Sequence, residues 1–164
     1  MKKVYIINGS GGVGKDTFCS LVGKYVPVSV ISSVDPIKLL AKEIGWDGQK
    51  TERDRKFLSD LKDLTTEYND YPMQYMKRSV SGFLNSDSKC LFIHIREPKE
   101  IEKAVKEFGA KTILVINPNV KQISTNHADA NVGEYYYDHL INNSGTLNQL
   151  DEMAKAFCEI EGLI

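Results

Sequence analysis

The chain reads as an α/β protein, a three-layer α/β/α domain built on a five-stranded parallel sheet. Three observations predict this. Short apolar runs, several of them rich in β-branched residues, alternate along the chain with longer stretches whose apolar residues recur every three or four positions. Strands and helices that alternate in this way build parallel sheets with helices on both faces. The run at residues 90–95 is apolar at most positions, as a strand buried on both faces requires.

The elements follow in order. Residues 4–7 (Val-Tyr-Ile-Ile) form the first strand. A helix is expected over 14–25, with Phe18, Leu21, Val22 and Tyr25 on one face, and Pro27 stops it. Val28–Ser32 is the second strand. Pro36 suits a first helical position, and Ile37, Leu40, Ala41 and Ile44 form the apolar face of the helix it opens, which ends at Gly45. Residues 51–68 form a long helix with Phe57, Leu58, Leu61, Leu64 and Tyr68 in register. Pro72 opens another, with Met73, Met76, Val80, Phe83 and Leu84 inward. After the third strand at 90–95, a helix from Pro98 carries Ile101, Ala104, Val105 and Phe108 and is capped by Gly109. Residues 112–116 and His139–Asn142 are the last two strands. The closing helix at 146–160 points Leu147, Leu150, Met153, Ala154 and Phe157 inward.

The most informative segment is Gly9-Ser10-Gly11-Gly12-Val13-Gly14-Lys15-Asp16-Thr17, which joins the first strand to the first helix. Glycines let the backbone adopt positive φ and approach an anion with no Cβ in the way. Successive N–H groups then point inward at phosphate oxygens, and the helix that follows adds the positive end of its dipole. The spacing from Gly9 to Gly14-Lys15 is that of a phosphate-binding (Walker A) P-loop, with Lys15 placed for the β- and γ-phosphates. The residue after Lys15 is Asp16 rather than a hydroxyl residue, and the hydroxyl arrives one position later at Thr17.

That shifted hydroxyl carries a resemblance. Gly14-Lys15-Asp16-Thr17 resembles the adenylate-kinase-like nucleoside monophosphate kinases, and in particular the deoxynucleoside monophosphate kinases of phages and their bacterial relatives. The resemblance implies a P-loop kinase fold, ATP as donor, and Mg²⁺ held largely through water, with Thr17 as its candidate contact. It also implies that residues 46–88 are a helical acceptor-binding insertion and residues 119–138 a lid-like segment within a single 1–164 domain.

In such sheets ligands sit beyond the carboxyl ends of the strands. That rule gathers Gly9 to Lys15, residues 33–38, Arg96, Asn117 and Asn143 on one edge. Asp35, between strand and helix, is either a helix N-cap or a site residue. Ser33-Val34-Asp35-Pro36-Ile37-Lys38 resembles the Asp-Pro-x-Lys element of the phage-type kinases, which implies that Lys38 binds the acceptor phosphate and Asp35 faces the substrate or a magnesium-bound water. Arg96 ends the third strand, where a guanidinium fork suits phosphate oxygens or a salt bridge to Glu97, Glu100 or Asp35. His94 stands where the related kinases carry an aspartate, and it reads as a hydrogen-bonded core residue. Arg53, Arg55 and Arg78 are candidate substrate contacts in the 46–88 insertion, and Tyr68, Tyr71 and Tyr75 serve as core or as a base-stacking surface. Asp138-His139-Leu140-Ile141-Asn142-Asn143-Ser144-Gly145-Thr146 resembles the ending of these kinases that lies beside the donor adenine. That places Asn143 with Gly9, Gly11, Gly12, Val13, Gly14, Lys15, Asp16 and Thr17 among the nucleotide-binding residues.

Composition narrows the rest. A net charge of −1 with signs mixed along the chain gives no reason to expect nucleic-acid binding, and no apolar run approaches a membrane span. Cys19, Cys90 and Cys158 lack metal-like spacing and suggest reduced, buried thiols in a cytoplasmic protein. Neither an Asn-Lys-x-Asp guanine motif nor an Asp-x-x-Gly switch is present, which argues against a signalling GTPase. The expected activity is ATP-dependent phosphoryl transfer to a small phosphorylated acceptor, foremost a (deoxy)nucleoside monophosphate. Catalysis would rest on Lys15, Arg96 and Asp35. Residues 119–138 contain no arginine, and their polar candidates are Lys121, Asn126 and His127, with Asp129 beside it. That shortage of lid charge keeps a second reading open, a regulatory module that binds ATP without turnover.

Overall fold

The computed structural model describes residues 1–121 and 135–164. Strands β1 (Lys3–Asn8), β2 (Val28–Ser32), β3 (Cys90–His94), β4 (Lys111–Ile116) and β5 (His139–Asn142) form one sheet in the order β2-β3-β1-β4-β5. Every neighbouring pair is parallel. The helices among the described residues are α1 (Lys15–Val22), α2 (Asp35–Glu43), α3 (Glu52–Asn69), α4 (Tyr71–Leu84), α5 (Pro98–Phe108) and α6 (Leu147–Ile160). This is the predicted five-stranded α/β architecture. The chain leaves β1 to one side for β2 and β3 and to the other for β4 and β5, so the carboxyl end of β1 opens at the point where strand order reverses.

The two-residue period of β1 divides the core. Tyr5 and Ile7 face α1 and α6, where Phe18, Leu21, Val22, Leu150, Ala154 and Phe157 are buried with them. Ile6 points the other way, into a cluster with Met73 and Met76 of α4, Phe83, Ile101 and Ala104. Tyr5 stacks on Phe92 at 5.6 Å and meets Phe157 edge-on at 5.0 Å, so aromatic geometry fixes α6 against the middle of the sheet. Cys19, Cys90 and Cys158 are all buried free thiols, and burial pushes Cys90 up to about 12.

Several boundaries and faces differ from expectation. The first helix ends at Val22 rather than near Tyr25, because Gly23 closes it with its N–H on the Cys19 carbonyl. Tyr25 is used instead by its hydroxyl, 3.1 Å from Asp151 of α6. Helix α3 has the predicted periodicity but no buried residue, and Leu64 and Tyr68 are 65% and 84% exposed. It packs on α2 and α4 rather than on the sheet, so its apolar stripe meets neighbours on one flank only. Ile44, Leu84 and Leu147 are exposed because α2 stops before Ile44, Leu84 ends α4, and Leu147 begins α6.

At the amino edge of the sheet, Glu161 is 2% exposed just beyond α6. Its carboxylate accepts from Tyr5 Oη at 2.9 Å and Lys111 Nζ at 2.8 Å, lies 2.9 Å from His139 Nε2, and pairs with Lys3 Nζ at 3.3 Å. Burial alone would raise its pKa, but hydrogen bonds from Lys111, Tyr5 and Lys3 outweigh that and bring it down to about 2. One side chain thus ties the end of α6 to the first residues of β1, β4 and β5.

Candidate functional site

The carboxyl end of β1 runs directly into the glycine loop. Gly9, Gly12 and Gly14 all have positive φ, and Gly14 is the left-handed N-cap of α1. Space matters as much as torsion at two of them. A Cβ on Gly9 would lie 2.4 Å from the Val115 carbonyl oxygen, and one on Gly14 would lie 2.5 Å from Asn143 Nδ2. Lys15 folds back over its own loop, donating to the carbonyls of Gly9 at 2.6 Å and Ser10 at 2.9 Å. Gly11 and Gly12 are exposed and Val13 is buried, so the loop is anchored beneath and open above.

Two asparagines hold that loop to the sheet. Asn143, just past β5, donates from Nδ2 to the Val13 carbonyl at 2.9 Å while its N–H bonds the Ile116 carbonyl at 2.7 Å. Asn8, fully buried at the end of β1, accepts from the Gly9 N–H at 2.8 Å and donates to the Arg96 carbonyl at 3.2 Å and to Tyr137 Oη at 2.8 Å. Asn8 and Tyr137 were not among the expected site residues. Their signal in sequence was an amide closing an otherwise apolar strand, which only the parallel register turns into a hub.

Asp35 is not an N-cap. Val34 holds that position without a side-chain bond, and Asp35 is the first residue of α2. Its Oδ2 instead accepts from the Ser32 N–H at 2.8 Å and from Tyr75 Oη at 3.5 Å. This aims the carboxylate back across the end of β2 and gives Tyr75 a polar role rather than a stacking one. Lys38 lies partly buried on the same helix. Arg96 is partly buried beyond β3, while Glu100, one of its anticipated partners, is bound to Lys62 at 2.7 Å. Arg53 and Arg55 lie exposed on the first turns of α3 behind the Thr51–Asp54 capping box, and Arg78 is exposed on α4. Asn117 turns the chain after β4, accepting from the Asn119 N–H at 3.0 Å.

His94 departs from its expected role as a hydrogen-bonded core residue. Its Nε2 is sealed from solvent yet makes no hydrogen bond among the described residues, with Asp16 Oδ1 3.4 Å away. Burial lowers its pKa, and Asp16 partly opposes that. Asp16 and Thr17 are exposed at the mouth of the loop. Asp16 and Thr17 present two oxygen donors of the kind a hard divalent cation takes, and among the described residues no group of three or more His, Cys, Asp or Glu could hold a metal by itself.

An open groove of about 490 Å³ runs from Asn142 and Asn143 along the β5–α6 turn to Gln149, Met153 and Ala156. Thr146 caps α6 reciprocally with Gln149, and the Ser144 carbonyl of the same turn accepts from Asn119 Nδ2 at 3.3 Å. Of the lid candidates, Lys121 is exposed, and Asn126, His127 and Asp129 lie outside the described residues. No helix among the described residues is long and apolar enough to cross a membrane.

Comparison with known proteins places this fold. No protein-family model matches the chain, and no curated protein does. Solved structures do match it along nearly their whole length. TT1252 from Thermus thermophilus is 16% identical over 96% of this chain and 97% of that one, with a TM-score of 0.56. The Deinococcus radiodurans tunicamycin resistance protein is 15% identical over 96% and 95%, with a TM-score of 0.59. Shikimate kinase from Aquifex aeolicus is 11% identical over 98% of both chains, with a TM-score of 0.51. At these identities the likeness is one of fold, the five-stranded parallel α/β fold found in P-loop kinases.

Proposed function

We propose that this chain transfers the γ-phosphoryl group of ATP to a small phosphorylated acceptor, a nucleoside or deoxynucleoside monophosphate, as a single kinase-like domain. One observation carries the reading. A preformed glycine cradle with Lys15 at its centre opens on the same sheet edge as Asp35, Lys38 and Arg96. The similarity of fold to a shikimate kinase is in keeping with it.

Loop N–H groups and Lys15 would hold the donor phosphates, with adenine along the groove beside Asn143. Arriving phosphate oxygens replace the Gly9 and Ser10 carbonyls as partners of Lys15, so the ammonium moves from a main-chain bond to the developing charge. Lys38 and Arg96 would hold the acceptor phosphate, with Arg53, Arg55 and Arg78 of the 46–88 insertion as further contacts. The acceptor oxygen is already ionised near neutral pH, so no strong general base is required. It forms the new P–O bond as the bond from the γ-phosphorus to the β–γ bridging oxygen breaks, and ADP leaves. Thr17, largely through water, and the neighbouring Asp16 would hold a Mg²⁺ that would neutralise charge on the phosphates. Transfer of this kind depends mainly on position and electrostatics. Three buried thiols suit a reducing cytoplasm.

A second reading, an ATP-binding regulatory module, is favoured by one feature, the absence of arginine from residues 119–138. Incubation with ATP and Mg²⁺ across a panel of nucleoside monophosphates, read by ADP release, separates the two. Acceptor-dependent release supports the kinase, whereas ATP binding with no release across the panel supports the module.

A further inference from the structure

Asn8 closes β1, is fully buried, and stands where the two halves of the site meet. β1 runs on into the phosphate loop, and its parallel neighbour β3 runs on to Arg96. The two main chains are joined there by the Ile95 N–H on the Ile7 carbonyl at 3.3 Å. Past that bond the Asn8 carboxamide continues the connection. Its Oδ1 accepts from the Gly9 N–H at 2.8 Å, and its Nδ2 donates to the Arg96 carbonyl at 3.2 Å and to Tyr137 Oη at 2.8 Å. The partners fix which way the amide points. A peptide N–H can only donate and a peptide carbonyl can only accept, so the oxygen must face Gly9 and the nitrogen Arg96. Both amide hydrogens and the oxygen are thereby used, and turning the group would leave buried partners unpaired.

We infer that Asn8 is a positioning residue for phosphoryl transfer. Its carboxamide sets the distance between the phosphate loop and Arg96, and so between the donor's γ-phosphate and the acceptor phosphate. The inference rests on the function proposed above. Asn8 touches neither substrate and acts through the main chains of Gly9 and Arg96. A carboxamide is planar, so its two ends hold those main chains at a set separation. The Gly9 peptide is the sensitive end. Its carbonyl accepts from Lys15 Nζ at 2.6 Å, a bond given up when phosphate takes the ammonium, and the Asn8 bond to its N–H remains. The other side of Gly9 is closed by the Val115 carbonyl, 2.4 Å from where a Cβ would lie. Phosphoryl transfer depends mainly on placement, and a misplacement of about 1 Å can cost ~10²-fold in rate.

The test is a double-mutant cycle with Arg96. For Asn8→Leu, Arg96→Ala and the double variant, kcat is measured at saturating ATP, Mg²⁺ and the best nucleoside monophosphate, ADP affinity by calorimetry, and folding by thermal denaturation. Asn8→Leu, which keeps the bulk and loses the hydrogen bonds, is expected to lower kcat at least about thirtyfold while weakening ADP by no more than about fivefold. A general loosening of the fold would not divide the losses in that way. On the Arg96→Ala background the same change is expected to cost at most about threefold more, because the group it positions is gone. A kcat within about threefold of wild type in Asn8→Leu would overturn the assignment, as would a loss repeated in full on Arg96→Ala. Should Asn8→Leu be unfolded at the assay temperature, Asn8→Asp, which keeps an acceptor for Gly9 and loses the amide donor to Arg96, takes its place and the same two results decide. Turnover by wild type with an indifferent Asn8 variant defeats this inference alone. A wild-type protein that releases no ADP with any acceptor defeats the proposed function and takes the inference with it.

Discussion

Glutamine in place of Glu161 is the most quantifiable perturbation the structure offers. The carboxylate is buried and held near a pKa of about 2 against an ordinary 4.5, so its charged form is favoured in the folded protein. At ~1.36 kcal/mol per pH unit, that displacement corresponds to roughly 3 kcal/mol of stability at neutral pH. Lys111 is half-exposed, with 54% of its side chain accessible, so solvent screens part of the attraction and ~2 kcal/mol is the firmer expectation. For a chain of this size that is a fall of roughly 4–8 °C in Tm. The sign of the pH dependence follows from the lowered pKa. The contribution is whole above pH 4.5 and is lost as pH falls toward about 2, whereas Glu161→Gln lacks that component throughout. Urea unfolding at pH 7 and Tm measured from pH 6 down to 2.5 report both effects. A loss under 1 kcal/mol, or an acid dependence identical to wild type, would refute the reasoning. ADP affinity at 25 °C should not change, because Lys3 and Asn8 bracket β1 and five strand steps put roughly 16 Å between this cluster and the phosphate loop.

Three further outcomes are expected at the other edge. Lys15→Ala should remove at least ~2.7 kcal/mol of transition-state stabilisation, about a hundredfold in kcat/KM, by analogy with the loss of one preorganised donor, and steady-state kinetics with the best acceptor would show it. Gly14→Ala places a methyl group 2.5 Å from Asn143 Nδ2 at a φ of +103°, so it both strains the loop and breaks the Asn143–Val13 bond. Calorimetry should find ADP binding at least about tenfold weaker, and adding Asn143→Ala should restore only the steric part. Tyr137→Phe strips the partner from one Asn8 amide hydrogen, and denaturation should report a loss of ~1–2 kcal/mol with a modest weakening of ADP binding through Gly9.

Much of this fold was legible because its signals are local. The β1–loop–α1 unit is written in one unbroken segment, from Val4 to Thr17, and three of its four glycines, Gly9, Gly12 and Gly14, take the positive φ that glycine permits. Gly109 caps the helix it was expected to cap. What periodicity did not give was depth. Leu64 and Tyr68 repeat as faithfully as Met73 and Met76, yet only the latter pair is buried, because α4 lies on the sheet and α3 lies on helices. Contacts far apart in sequence were hidden for the same reason. Asn8 to Tyr137, Asp35 to Tyr75 and Glu161 to four partners are long-range pairings that no local pattern records. His94 misled in another way. A histidine closing an apolar strand ordinarily finds a side-chain hydrogen bond, and the buried Nε2 of this one has none among the described residues.

The two edges of the sheet divide the work of the molecule. At the amino edge a buried charge is fully partnered, and its low pKa marks a group that already has what it needs. At the carboxyl edge, Lys15 rests on main-chain carbonyls and Asp16 is open to solvent, arrangements that a nucleotide would rearrange. On the proposed function, the amino edge would contribute stability and the carboxyl edge binding. Substitutions at the two should therefore combine additively. The Lys15→Ala and Glu161→Gln pair should lose stability as Glu161→Gln does and turnover as Lys15→Ala does, with no coupling beyond ~0.5 kcal/mol. Larger coupling in that double variant would mean that the strands transmit strain along their length, and the separation of the two edges would be wrong.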